Sequence, residues 1–275
     1  MNRRLHAFGS TISIETAEPE LFHHLDQWLP PMDSAETMSA PRIEYRVVVS
    51  GRSSSAVVVR GRRTLAAADN LSMAARILAA DLVVTLSRTS HVWTFVHAGV
   101  VAVAGRAIVL PGAPLSGKTT LVTALLRGGA EYGSDEFAAV DHDGRVRPWA
   151  RWLGTRTAGR PDERIDPKRL GTRTMANDVR VGAIVFTSYH AGAHVNLQPV
   201  AAGHAALKTL QHCLTARART APTLRAVGVL TATAHAFASP RSDAAEFAAR
   251  LLALAETLPP VFHAGGARTF VPAGP

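Results

Sequence analysis

The sequence predicts an α/β fold, a mixed sheet flanked by helices with a small α/β lobe ahead of it. Three observations point there. Short apolar runs of strand character alternate with segments of helical spacing. Strand-like runs crowd together between residues 92 and 110. A glycine-rich turn, Gly112-Ala113-Pro114-Leu115-Ser116-Gly117-Lys118-Thr119, then separates a strand from a helix. The expected division is a lobe over residues 1–90, ending in a packing helix, and a core over residues 91–275. The 275 residues, 47% hydrophobic and 19% charged, suffice for a large core.

Within the lobe, Ser10 to Glu15 alternates like a strand, and Pro19 to Leu29 has helical spacing until Pro30-Pro31 stops it. Met32 to Pro41 reads as a loop. Arg42 to Ser50 and Ala56 to Arg60 read as a hairpin turning at Gly51 to Ser55. Ala66 to Ser87 reads as one long helix, with Leu71, Ala75, Leu78, Leu82 and Leu86 on its apolar face.

Three short strands are expected next, at Val92 to Ala98, Val100 to Val103 and Ala107 to Leu110, with Gly105 in a tight turn between the last two. Beyond the helix over Thr120 to Leu126 come the strand Phe137 to Val140, a turn at Asp141 to Gly144 and a return over Val146 to Trp152. Residues 154–178 read as a polar mobile loop. Val181 to Thr187 and Val195 to Pro199 read as strands. Gly203 to Arg217, Thr223 to Phe237 and Asp243 to Leu258 read as helices.

The turn at 112–119 has the pattern G-x-x-x-x-G-K-T in a strand–loop–helix setting, which is the phosphate-binding P-loop. Its glycines let backbone N–H groups face a polyphosphate, and the helix start adds positive potential. Gly112 through Thr119, with Thr120, are the nucleotide-binding candidates. Lys118 would reach the β- and γ-phosphates, and the Thr119 hydroxyl would ligate Mg²⁺. Lys118 is one of only three lysines.

A phosphoryl-transfer site also needs an acid. Asp135 and Glu136 follow Lys118 after one helix and a glycine pair, just before a strand. Asp135 is the candidate general base and metal-linked acid, and Glu136 assists at Mg²⁺. Asp141 and Asp143 read as turn residues. Arg151, Arg156, Arg160, Arg164, Arg169 and Arg173 suit either transition-state charge or a solvated loop. Trp149 and Trp152 suit either adenine stacking or the core, and the core is preferred. Cys213 reads as a small apolar helix residue.

The formal charge of +9 suits an anionic ligand or acidic partner. Its arginines are spread along the chain, so nucleic acid is not the expected partner and a DNA-dependent ATPase ranks last. A single cysteine, no apolar leader and no long apolar run lead to the expectation of a cytoplasmic protein without a membrane span.

The segments His97 to Gly105, Ala107 to Leu121 and Gly128 to Glu136 together resemble the core of HPr kinase/phosphorylase, and more nearly the HPr-kinase-like proteins of bacterial gene clusters. Some of those relatives phosphorylate a serine of a ribosomal peptide precursor, as in lasso-peptide maturation. The resemblance covers about residues 97–141. It implies a phosphoenolpyruvate carboxykinase-like nucleotide core with a hairpin ahead of the P-loop. It implies His97 near the transferred phosphoryl group, Asp135 as base, and Lys118 and Thr119 in their P-loop roles. Glu136 stands where HPr kinase has a second aspartate. Thr119-Thr120 replace the family's usual Ser-Glu pair, and the C-terminal signature that bears the dephosphorylating arginine is missing. An acceptor other than HPr is therefore implied. So is a homo-oligomer, since family relatives form hexamers. The expected function is an ATP- and Mg²⁺-dependent kinase acting on a hydroxyl, a serine of a peptide or protein. The alternatives are a small-molecule kinase and a non-catalytic nucleotide-binding regulatory module.

Overall fold

Two sheets organise the chain. The computed structural model describes residues 1–30, 32, 41–49, 55–155 and 163–259. The expected turn at 51–54, the loop at 33–40, and Arg156 and Arg160 lie outside them.

The first sheet has the order β1-β2-β3-β4-β5. β1 (Asn2–Ala7) and β2 (Ser10–Thr16) are antiparallel, joined by Phe8-Gly9. Both turn residues have positive φ, 50° and 78°, the geometry that suits the strand twist. A phenylalanine gives no sequence signal for such a turn, and β1 is not anticipated. Its ring offsets the left-handed backbone by packing edge-on against Phe95 and Trp93, with centroids 4.8 and 5.9 Å away. β2 runs parallel to β3 (Arg42–Val49), and a parallel pair needs a crossover, which α1 (Glu20–Trp28) provides.

β3 pairs with β4 (Ala56–Arg60), and β4 with β5 (Arg63–Ala68). β5 corrects the expected helix start at Ala66. The chain stays extended until Asn70, whose side chain accepts the Met73 N–H and caps α2 (Leu71–Thr89). An alanine-rich run is pulled into a strand by its partner, and the capping residue sets where the helix begins. Leu21, Leu25, Leu78, Leu82 and Leu86 bury α1 and α2 on this sheet. Phe95, Ala139 and Trp149 of the second sheet's segment join the same core.

The second sheet starts with β6 (Thr94–Val103), one continuous strand rather than the two expected. Gly99 does not break it. A Cβ there would stand 2.7 Å from Val122 Cγ2, so glycine leaves room for a helix to lie across the strand. Gly99→Ala is expected to cost about 1–3 kcal/mol by overpacking, read as a lower urea midpoint at unchanged slope. The turn Ala104-Gly105, with φ of 49° and 73°, leads into antiparallel β7 (Arg106–Pro111).

α3 (Lys118–Arg127) follows the glycine-rich loop. β8 (Glu131–Ser134) and β9 (Phe137–Val140) both pair with β6 and bracket Asp135-Glu136. Asp141 makes the expected turn, its Oδ1 accepting from the backbone of Asp143 and Arg145. The return strand is short: β10 (Arg145–Arg147) ends, and Trp149 turns into the core. The segment expected to be a mobile polar loop instead holds the hairpin β11 (Leu153–Thr155) and β12 (Glu163–Ile165), then a single 3-10 turn at Pro167–Leu170. Half-buried Arg164 ties the hairpin to Trp152 and the Trp28 ring, where composition alone reads a solvated arginine.

β13 (Val179–Tyr189) runs parallel to β7. β14 is only Gln198–Pro199, shorter than expected. α4 (Ala202–Leu210) stops well before Arg217, which leaves Cys213 in a turn bridged to Val96 rather than on a helix. α5 (Thr220–Thr233) is followed by β15 (His235–Arg241), not by more helix. This last correction has a sheet-level cause. The open edge of β13 takes His235 to Arg241 as a parallel partner, overriding the alanine-rich helical pattern. α6 (Ala244–Thr257) is capped by Asp243, which accepts from the N–H groups of Ala245 and Glu246.

α3 and α6 cover one face of this sheet through Leu121, Leu125, Phe247 and Leu251. Ala205 of α4 and Leu230 of α5 cover the other. Among the described residues no helix is long and apolar enough to cross a membrane. β7, β13 and β15 are parallel and end on the same edge, where open α/β sheets place their ligands.

Candidate functional site

The glycine-rich loop leaves that edge from the end of β7. Gly112 is buried. Ala113, Pro114, Leu115 and Thr120 are exposed, and Ser116 to Thr119 are half-buried. Two constraints shape the turn. A Cβ on Gly112 would stand 2.7 Å from Ser116 Oγ, and Gly117 has φ of 78°. Leu115 also sits in the left-handed region, at φ of 68°, while its side chain is 79% exposed. A β-carbon is strained there, and such strain persists where the surrounding turn imposes it.

Two side chains meet at the Gly112 carbonyl. Lys118 Nζ donates to Gly112 O at 3.0 Å and to Ala113 O at 2.7 Å. His97, in the middle of β6, lies 2.7 Å from the same carbonyl through Nδ1. A carbonyl only accepts, so Nδ1 carries the proton and Nε2 keeps a lone pair. Phe137 lies edge-on to the imidazole at 5.6 Å. Burial and then the Lys118 charge hold the His97 pKa down at about 4, against the Gly112 hydrogen bond that raises it. Burial also pulls the Lys118 ammonium down to about 8, with Asp135 opposing.

The sign follows for pH. The unfolded histidine protonates near its ordinary value of about 6.5 and the folded one only near 4. His97 thus contributes stability above the ordinary value that is lost as pH falls toward the folded one. Ring nitrogen NMR is expected to show His97 neutral and Nδ1-protonated from pH 8 down to about 5. A midpoint near 6.5 would contradict this environment.

The acid pair sits at the same edge because β8 and β9 both pair with β6. Asp135 is 4% exposed. Its Oδ2 accepts from Thr119 Oγ1 at 3.1 Å and from the Gly154 N–H at 3.3 Å. Its Oδ1 faces the Tyr132 hydroxyl at 3.3 Å and Arg151 Nε at 3.4 Å. Arg151 also forms an ion pair with Glu136. Tyr132 is fully buried, and burial together with Asp135 pushes its pKa well above the ordinary phenol value.

Arg164 completes the cluster. It donates to Trp152 O at 2.9 Å and Gln27 O at 3.3 Å, and its guanidinium lies 3.3 Å from the centre of the Trp28 ring. Burial, then the nearby Arg151 charge, lowers its pKa to about 9. Of the arginines read as one basic loop, Arg151 and Arg164 belong to the acid pair's surroundings. Arg173 is exposed beside Glu131, and Arg169 is exposed on the 3-10 turn. Trp149 is core, as preferred.

The structure thus brings Lys118, Thr119, His97 and Asp135 into one cluster, with Glu136 joined to it through Arg151. Sequence reasoning misses Arg241, whose guanidinium donates to the carbonyls of Ser116 and Gly117, both at 3.1 Å. Its only sequence signal would have been a strand ending at 241, and that strand is hidden in an alanine-rich run. Tyr132 is missed as well, although it stands three residues before Asp135, because nothing local marks it as a partner of the acid; Trp28 stands far from the motif in sequence.

For Mg²⁺ the donor chemistry fits. A hydroxyl and a carboxylate oxygen lie 3.1 Å apart beside a phosphate-type loop, the hard oxygen donors this ion takes along with phosphate oxygens and waters. Among the described residues there is no cluster of three or more His, Cys, Asp or Glu to hold a metal by protein ligands alone.

No protein-family model matches the chain, and no curated protein is similar to it in sequence. Among solved structures it is similar to the Hpr(Ser) kinase/phosphatase from Coxiella burnetii, at 13% identity and a TM-score of 0.32, over 60% of this chain and 92% of that one.

Proposed function

We propose that this protein is an ATP- and Mg²⁺-dependent kinase that transfers the γ-phosphoryl group to a hydroxyl, a serine of a peptide or protein. The observation that carries the reading is the hydrogen bond from Thr119 of the loop to the buried carboxylate of Asp135. It ties the phosphate-binding motif to an acid, as phosphoryl transfer requires.

In this reading the amides of Gly112 to Thr119, with Thr120 beside them, cradle the phosphates. Lys118 turns from its two carbonyl acceptors to the β- and γ-oxygens. Thr119, Asp135 and Glu136 are the residues that would hold Mg²⁺, which supplies charge neutralisation on the phosphates. Asp135 takes the proton of the acceptor hydroxyl. His97, neutral and with a free Nε2 lone pair, positions the hydroxyl or the phosphate by hydrogen bonding. Arg151 balances the two carboxylates and, on releasing Glu136, offers its guanidinium to the transferring oxygens. Catalysis is then positioning and charge stabilisation.

The same reading takes residues 1–90 as a lobe and 91–275 as the kinase core, in a cytoplasmic protein that assembles with copies of itself. Label from γ-labelled ATP is expected on serine-containing acceptor peptides, in a form stable to acid and labile to alkali, as a serine phosphate ester is. Label found only in released inorganic phosphate, with every acceptor unlabelled, would overturn the transferase reading.

A further inference from the structure

Beyond the acid pair, the edge formed by β7, β13 and β15 carries a second feature. A cavity of about 430 Å³ is lined by Leu115, Ser116, Gly117, Thr120, Tyr189 and Arg241, among others. It shares no lining residue with the cluster of His97, Lys118, Thr119 and Asp135. Its volume falls in the range of roughly 300–1,000 Å³ common for small-molecule sites.

Two of its walls are large apolar side chains turned to solvent. Tyr189 is 62% exposed and Leu115 is 79% exposed. An isolated exposed apolar residue needs no explanation, but these two share one cavity at a phosphate-type loop. Tyr189 is the last residue of β13 and stands in register with Arg241, the last of β15. The Arg241 guanidinium lies 5.9 Å from the Tyr189 ring centre and also holds the Ser116 and Gly117 carbonyls. Arg241 itself is 3% exposed. Its Nε is buried with no hydrogen-bond partner among the described residues. Arg241 therefore ties the ring to the loop, and ring and loop line the same cavity.

We infer that this cavity is the nucleoside subsite, with the base of the nucleoside triphosphate stacked on Tyr189 and flanked by Leu115. The inference rests on the proposed nucleotide reading and deepens it. Lys118 and Thr119 engage the transferred end of the triphosphate, toward Asp135. The opposite end leaves the loop past Thr120, where the cavity opens. Stacking on an aromatic ring tolerates different bases, so the site selects a base over none more than one base over another. Leu115 is held in its strained, exposed conformation by the turn that cradles the phosphates, which links the two halves of the ligand.

Binding of ATP and of inorganic triphosphate, each with Mg²⁺, tests this by calorimetry on the unmodified protein, Tyr189→Ala, Tyr189→Phe and Lys118→Ala. Tyr189→Ala is expected to weaken ATP about 10- to 100-fold and to leave triphosphate affinity in place. Tyr189→Phe is expected to keep ATP affinity, since the ring remains. Tyr189 is exposed at a strand end, so folding is not at stake. If Tyr189→Ala weakens both ligands equally or neither, or if triphosphate binds as tightly as ATP, the nucleoside subsite is wrong. If Lys118→Ala weakens neither ligand, the underlying nucleotide reading fails, whatever Tyr189 does.

Discussion

Asp135→Asn is expected to lower the rate of phosphoryl transfer by about 10²- to 10⁴-fold, the range lost with a general base, while ATP still binds. The substitution keeps the shape of the side chain and, with the amide oxygen at Oδ2, the bonds from Thr119 and Gly154. Its NH₂ can donate to the Tyr132 hydroxyl but no longer accepts from Arg151, which keeps Glu136 as its counter-charge. What it removes is the negative oxygen that the proposed transfer uses as its base. Stopped assays of transfer, set beside ATP affinity, separate the two effects. A variant that binds ATP and transfers at the unmodified rate would remove Asp135 from the chemistry. One that neither binds nor transfers would make Asp135 a binding residue rather than a base.

Arg151→Ala has the second large expected effect, on stability. Arg151 is 9% exposed and faces both Asp135 and Glu136. Removing one partner of a buried ion pair costs about 3–5 kcal/mol, because the remaining charge stays buried without its counter-charge. For a chain of this size that lowers Tm by roughly 6–20 °C. Mg²⁺ with ATP is expected to recover part of the loss, since it brings positive charge to the same carboxylates. Thermal melts with and without Mg²⁺ and ATP read both effects. An unchanged Tm would mean that the other hydrogen bonds to Asp135 already balance its burial.

Much of this site is legible in the sequence because its parts are local. The loop from Gly112 to Thr119 has a fixed spacing, and each position there has a mechanical reason. Asp135 is reachable by counting one helix and one return of the chain. His97 is legible through a family resemblance, because nothing local distinguishes it from eleven other histidines. Arg151 and Arg164 stand in an arginine-rich stretch, and only packing against Asp135 and Trp28 separates them from solvated neighbours such as Arg173. Arg241 and Tyr189 are the opposite case. They meet because β13 and β15 pair in parallel, a contact across 52 residues that no window of sequence contains. The same non-local pairing hides β15 within an apparent helix. β5 pairs locally with β4, and only its alanine-rich composition makes it read as the start of a helix. Gly99 misled for a related reason. It looked like a break between strands, and its purpose is to admit Val122 from α3.

The most direct measurement is transfer of label from γ-labelled ATP to serine peptides by the unmodified protein and by Lys118→Ala, with Mg²⁺ present in both. Lys118 bridges loop carbonyls rather than supporting the core, so its loss leaves the fold standing. The account predicts serine-bound label with the unmodified protein and its loss in the variant. Equal label in both, or no label from either at saturating ATP, would contradict a kinase built on this loop.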